Sequence, residues 1–172
     1  MKVIELFAGT KSISKAFERA GIRSYSVEFD HQHPNIDWYA DINDITAKDL
    51  VKRFGVPDVL WASPPCQSYS VAAIGHHRMK NEDGFLIPKT EFAKASDRLL
   101  AHTLEIIRDL LEINPHMIWF IENPRCWYEE VIHNVPFEER QTHNHILQVR
   151  GQQDETHGHL DELSQSEVHR TL

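Results

Sequence analysis

Cys66 stands behind two prolines in Ser63-Pro64-Pro65-Cys66-Gln67, directly after the apolar run Asp58-Val59-Leu60-Trp61-Ala62. A free cysteine is most often a small buried hydrophobe. After a double proline and in a polar segment, its side chain is displayed rather than packed. Such a thiol is a candidate nucleophile once a neighbour lowers its pKa or takes its proton. Glu122-Asn123-Pro124 follows a second apolar run, Met117–Ile121. A carboxyl group partly withdrawn from water at such a strand end can hold or donate a proton. The two together suggest covalent catalysis assisted by an acid. Cys126, beside Trp127, has no comparable pattern and is read as packed or simply exposed.

A second group of residues suggests a nucleoside-bearing ligand. Leu6-Phe7-Ala8-Gly9-Thr10 is a strand running into a glycine turn and then a helix. The glycine lets the backbone approach a cofactor closely, and the helix amino end favours an anionic group. Glu28 lies about 20 residues beyond that glycine, where nucleotide-binding sheets bond ribose hydroxyls. Asp41 repeats the strand-end acid once more and suits an adenine amino group. Each feature alone has an ordinary structural explanation. The three together favour the nucleoside.

These residues need a frame, and the hydrophobic pattern supplies one. Strands are expected at Lys2–Leu6, Ile22–Phe29, Trp38–Ile42, Asp58–Ala62 and Met117–Ile121. Helices are expected over Ser12–Ala20, stopped by Gly21, over Thr46–Phe54 with Thr46 and Asp49 at capping-box spacing, and within Thr90–Ile113. Ser68–Pro88 reads as a polar loop. Strands alternating with helices predict an α/β fold, a parallel sheet with helices on both faces. Every informative polar residue falls past the carboxyl end of a strand, the edge where open α/β sheets bind ligands.

Composition narrows the class. The 172 residues amount to one domain, and 41% apolar with 26% charged is ordinary for a globular chain with a real core. Apolar runs fall far short of the roughly 18 residues that cross a bilayer, and Glu5 interrupts the first of them, against a signal peptide. Two cysteines exclude a disulfide-stapled mini-protein and a four-cysteine zinc site. The net charge of −8 has the wrong sign for nucleic-acid binding by bulk electrostatics. From Phe137 onward there are seven acids and three bases, so the first 136 residues carry −4, and a local basic loop can still meet a phosphate backbone. A soluble cytoplasmic domain is expected.

Phe7-Ala8-Gly9, Pro65-Cys66-Gln67 and Glu122-Asn123, in this order and on these elements, resemble the motifs of the cytosine-C5 DNA methyltransferase family. Ala62-Ser63-Pro64-Pro65-Cys66 through Ser70-Val71-Ala72-Ala73-Ile74-Gly75-His76-His77-Arg78 is similar to its small phage-type members. The resemblance covers about residues 1–130. It implies a Rossmann-like S-adenosylmethionine-dependent sheet, with Phe7, Ala8, Gly9, Thr10, Glu28, Phe29, Asp41, Ile42 and Pro65 around the cofactor. It makes Cys66 the nucleophile and Glu122 the acid that holds the target ring. Gln67, Ser70, Asn123, His77 and Arg78 would meet DNA, with the loop carrying His76, His77, Arg78 and Lys80 closing over it. A cytosine in a duplex must be flipped out to be reached. The implied partner is DNA; a monomer without metal or membrane is expected. The turn Gly9-Thr10-Lys11-Ser12 is poorer in glycine than the family's, and Pro124 stands where the family has valine.

Past Pro136 the pattern dissolves. The expectation is a methyltransferase domain over 1–136, incomplete at its carboxyl end, and a poorly ordered tail over 137–172. Gln148-Val149-Arg150 mimics a family motif arginine without its flanks. His143-Asn144-His145 and His157-Gly158-His159 have metal-like spacing but no cysteine nearby, and no metal is expected. Codons compatible with Gln152–Glu162, shifted by one nucleotide, spell Asn-Lys-Met-Lys-Pro-Thr-Asp-Ile-Trp-Thr-Asn, similar to a segment of the phage-type relatives. The tail is therefore expected to be out of frame. Two other functions stay open: a cofactor- or DNA-binding fragment with weak or no turnover, and a methyltransferase acting on RNA or a small molecule.

Overall fold

The computed structural model describes residues 1–70, 73–124 and 145–149. The chain runs β1 (Lys2–Leu6), α1 (Ser12–Arg19), β2 (Arg23–Glu28), β3 (Trp38–Tyr39), α2 (Ala47–Phe54) and β4 (Val59–Ala62). It continues with α3 (Ile74–His77), β5 (Arg78–Lys80), β6 (Leu86–Pro88), α4 (Glu91–Ile113), β7 (Ile118–Pro124) and β8 (His145–Val149). Six strands form one sheet in the order β3-β2-β1-β4-β7-β8, every neighbouring pair parallel. The Rossmann-like α/β sheet expected from the sequence is present.

Alternation along β1 sets the two faces. Ile4 and Leu6 join Val27, Leu60, Ala62, Trp119 and Ile121 in the main core, under Leu50 and Phe54 of α2 and Leu100, Leu104, Ile107 and Leu110 of α4. Glu5 points the other way and is buried against α1, where its carboxylate accepts the Ile13 and Ser14 amides at 3.3 and 2.8 Å. Ser14 and Ser24 share a hydrogen bond on that same face. Side chains two apart share a face, so helices cover both sides of the sheet. Around that core one cap is as the sequence predicts and another is new. Thr46 and Asp49 close a capping box on α2, and the Thr90 hydroxyl accepts the Ala93 amide at the start of α4.

Three elements depart from expectation. The strand expected over Trp38–Ile42 is only Trp38–Tyr39, because Ile42 opens a single helical turn that the Asp41 side chain caps. Ser68–Pro88 is not only loop: after the short α3, β5 and β6 pair antiparallel with Met79 opposite Ile87. Glu122-Asn123-Pro124 is not a strand-ending turn, because β7 continues through Pro124 and pairs with β8, Glu122 opposite Leu147. His145–Val149 of the carboxyl-terminal segment is thus a sheet strand; the rest of that segment, with Cys126, His143, Arg150, His157 and His159, lies outside the described residues. No described helix is long and apolar enough to cross a membrane.

Candidate active site

The carboxyl edge of the sheet gathers the chemistry. β4 and β7 are neighbours, with Ala62 opposite Ile121, so the residues that follow, Ser63 and Glu122, emerge side by side. The Ser63 hydroxyl donates to Glu122 Oε2 at 2.9 Å and accepts the Trp61 indole N–H at 3.0 Å. Trp61 in turn rests against Phe120 on β7. Glu122 therefore has one oxygen held by a fixed donor. Residue typing alone missed Ser63 and Trp61, since their signal is the pairing of β4 with β7, not any local motif.

Cys66 sits half-buried between exposed Pro65 and exposed Gln67. Burial pushes its thiol above the ordinary range; a backbone hydrogen bond at Cys66 pulls down, and the negative charge of Glu122 pushes up again. The free site thus keeps Cys66 protonated near neutral pH. Glu122 is close enough for its charge to be felt at the sulfur, as a paired nucleophile and acid require. Ser70 stays local, its hydroxyl donating to the Gln67 carbonyl. Asn123 belongs to β7, and its side chain lies outside the described residues.

On the other side of β1 the nucleoside-type residues converge. The Glu28 carboxylate accepts the Gly9 amide at 2.8 Å and the Phe29 and Asp30 amides at 2.9 Å each. It ties the glycine turn to the end of β2. Phe7 and Gly9 both have positive φ, 58° and 48°. The turn is so tight that a non-glycine residue, Phe7, adopts a left-handed conformation. At Gly9 nothing lies within 4 Å of the place a Cβ would take, which leaves the backbone open to an incoming group. Phe29 is 67% exposed on the same edge, and Thr10 is exposed beside Gly9. Asp41 binds the Asn43 amide and side-chain N–H through Oδ1.

Several expected contacts are corrected. Ile42 is 2% exposed and belongs to the core, and Ala8 is likewise buried, so each can offer a ligand only its backbone. The amino end of α1 is not an open anion site, because Glu5 takes two of its amides. Arg78 does not face outward. It is buried, ion-paired to Asp97 of α4 and stacked on Tyr69. His77 leans on the start of α4, with Nδ1 3.0 Å from the Thr90 hydroxyl and its ring against Phe92. His76, Met79 and Lys80 are the exposed members of that stretch. Among the described residues no group of three or more histidine, cysteine or acidic side chains is arranged to hold a metal.

Among known proteins, this chain is 33% identical to the type II methyltransferase M.HindV of Haemophilus influenzae, over 42% of this chain and 27% of that protein. The match thus spans about a quarter of the relative's length. Among solved structures, SP1627 from Streptococcus pneumoniae is 14% identical, covering 72% of this chain and 71% of that one, with a TM-score of 0.34, too low to identify a common fold. The family model for C-5 cytosine-specific DNA methylase matches residues 1–126. That span includes the glycine turn, Cys66 and Glu122, and this chain belongs to the C-5 cytosine-specific DNA methylase family.

Proposed function

We propose that this chain transfers a methyl group from S-adenosylmethionine to C5 of cytosine in DNA, with Cys66 as nucleophile and Glu122 as the acid on the ring. The observation that carries this reading is a Glu122 oriented by Ser63 across the β4–β7 pair, with Cys66 three residues beyond that serine on the same edge of the sheet.

The residues around the glycine turn fit the cofactor. A carboxylate at Glu28 suits a ribose diol, Asp41 suits an exocyclic amine, and the exposed Phe29 ring suits the flat face of adenine. Phe7, in the same turn, and Pro65 are assigned to the cofactor with them, and Gly9 lets the backbone come close. When bound, S-adenosylmethionine supplies an electrophilic methyl group on a positively charged sulfur.

Cytosine C5 is a poor nucleophile, and the protein's task is to make it a better one. Cys66 gives its proton to water and its sulfur adds to C6, which pushes electron density onto C5. Glu122 holds a proton at N3 and stabilises the charge that addition creates, while Ser63 fixes the carboxyl group's direction. After C5 has gained the methyl group, its own proton leaves to water, the C6–S bond breaks and Cys66 is restored. Gln67 and Ser70, in the turn that follows Cys66, are assigned to the base and its strand.

The deciding experiment is Cys66→Ser. It should abolish methyl transfer to cytosine-containing DNA and leave cofactor binding intact, since the thiol acts only on the base. A Cys66→Ser protein with near-native activity would sink the nucleophile assignment. A substrate panel of DNA, RNA and small molecules with labelled cofactor tests the substrate class. Most of the segment 137–172 is proposed to be out of frame, the signal lying in the codons for 152–162; a gene sequence with no Lys-Pro-Thr-Asp-Ile-Trp in the alternative frame would remove that proposal.

A further inference from the structure

The turn that follows Cys66 is gripped from beneath by a buried charge. Arg78 Nε donates to the Ser68 carbonyl at 3.1 Å, and NH2 reaches the Ser68 hydroxyl at 3.4 Å. The same guanidinium forks onto both carboxylate oxygens of Asp97, with NH1 at 3.1 Å from Oδ2. It also lies 4.2 Å from the centroid of Tyr69, whose hydroxyl donates to Asp97 Oδ1 at 2.7 Å. Ser68 and Tyr69 are both essentially inaccessible. The turn closes back on the nucleophile, because the Tyr69 amide donates to the Cys66 carbonyl at 2.9 Å. One side chain thus holds both Ser68 and Tyr69, and Asp97 anchors that side chain to the longest helix.

We propose that Arg78 and Asp97 are positioning residues for Cys66: a clamp that docks the nucleophile's turn on α4 and fixes where that turn presents the sulfur. The inference rests on the reading of Cys66 as nucleophile and adds to it a set of residues that touch neither base nor cofactor. A planar fork is what the geometry uses, since Arg78 satisfies a carbonyl, a hydroxyl and a carboxylate at once. A lysine carries the same charge but is a single point donor and cannot span the three. Helix α4 is the right anchor, because Asp97 is flanked along it by the buried residues Ala93, Ser96 and Leu100. The cofactor edge at Gly9 and Glu28 is built from other elements and is not gripped by this clamp.

The test uses the full chain and three variants: Tyr69→Phe, Arg78→Lys and Asp97→Asn. Cys66 alkylation by iodoacetamide is followed at one pH by peptide mass, and calorimetry with S-adenosylmethionine reports the folded, cofactor-competent fraction. The clamp predicts unchanged cofactor affinity with Cys66 alkylation faster by about threefold or more, as the thiol gains access. It also predicts kcat lower by about tenfold or more with KM for the cofactor unchanged, a misplaced reacting group being the cause. Where turnover is below detection, the alkylation rate alone decides. If a single variant fails to fold, the pair Arg78→Met with Asp97→Leu removes both charges together and is read the same way. Folded variants with native alkylation and native kcat would overturn the clamp. If Cys66→Ser keeps methyl transfer, the nucleophile reading fails and takes the clamp's purpose with it; if Cys66→Ser is dead and the clamp variants are native, only the clamp fails.

Discussion

At the scale of single residues, the site sets a charge problem. Cys66 must lose a proton in a place where burial, joined by the field of Glu122, favours the neutral thiol. The sign follows directly: the reactive thiolate is the form disfavoured, so its fraction grows as pH rises through and beyond the ordinary thiol range. Alkylation of Cys66 should climb with pH and still be rising where an unperturbed cysteine has levelled off. Glu122→Gln removes one upward push, so its profile should move to lower pH; an unmoved profile would separate the two groups. Glu28 behaves differently, because it does two jobs. Glu28→Ala should weaken cofactor binding by about 1–3 kcal/mol, the range for hydrogen bonds to a charged group. It should also loosen the turn that hangs on it through Gly9. Calorimetry showing unchanged affinity would take Glu28 out of the site.

At the scale of elements, strands and helices were legible and their side-chain partners were not. Short apolar runs such as Val59–Ala62 and punctuation such as Gly21, Thr46 and Asn114-Pro115 sufficed to place β1, α1, β2, α2, β4 and α4 to within a residue or two. Period and caps are local physics. Arg78 looked like a solvent-facing loop cation because its partner, Asp97, lies nineteen residues away on another element. Ser63 was invisible for the same reason, since Glu122 lies fifty-nine positions further along the chain. The β5–β6 hairpin was missed because three-residue strands carry almost no periodicity. Asp37 is another hidden partner: it accepts the Ser26 amide and hydroxyl and pairs with Lys11. Burial alone would push that carboxyl up, but the bonds from Ser26 and the charge of Lys11 bring it below its ordinary value. A carboxyl lowered in the folded state stabilises above its unfolded pKa and loses that contribution as pH falls through the folded one. Asp37→Asn should therefore flatten the acid limb of the stability–pH curve below about pH 4, measured by denaturation at stepped pH.

At the scale of the molecule, the sheet extends to a sixth strand, which changes what the carboxyl-terminal segment is expected to contribute. By composition alone its removal should cost little. With β8 paired along β7 from Phe120 to Pro124, deletion of residues 137–172 turns the strand that carries Glu122 into an edge. The amides shared between β7 and β8 should exchange hydrogen slowly in the full chain and quickly in the shortened one. A loss of about 1 kcal/mol would show as a fall in Tm of roughly 2–8 °C. Equal protection in both forms would mean the β7–β8 pairing contributes nothing.

The order β3-β2-β1-β4-β7-β8 also has a consequence for how defects combine. The chain builds outward from β1 in one direction and then restarts at β4 in the other. Glu28 and Asp41 belong to the first direction, and Ser63, Cys66 and Glu122 belong to the second. Groups without shared partners contribute independent free energies, while groups in one hydrogen-bonded set do not. In a double-mutant cycle on transition-state free energy, Glu28→Ala and Ser63→Ala should therefore sum to within about 0.5 kcal/mol. Ser63→Ala and Glu122→Gln should fall short of their sum, since removing either already breaks the bond they share. The sheet's point of reversal would then be visible in kinetics as a line across which energies add and within which they do not.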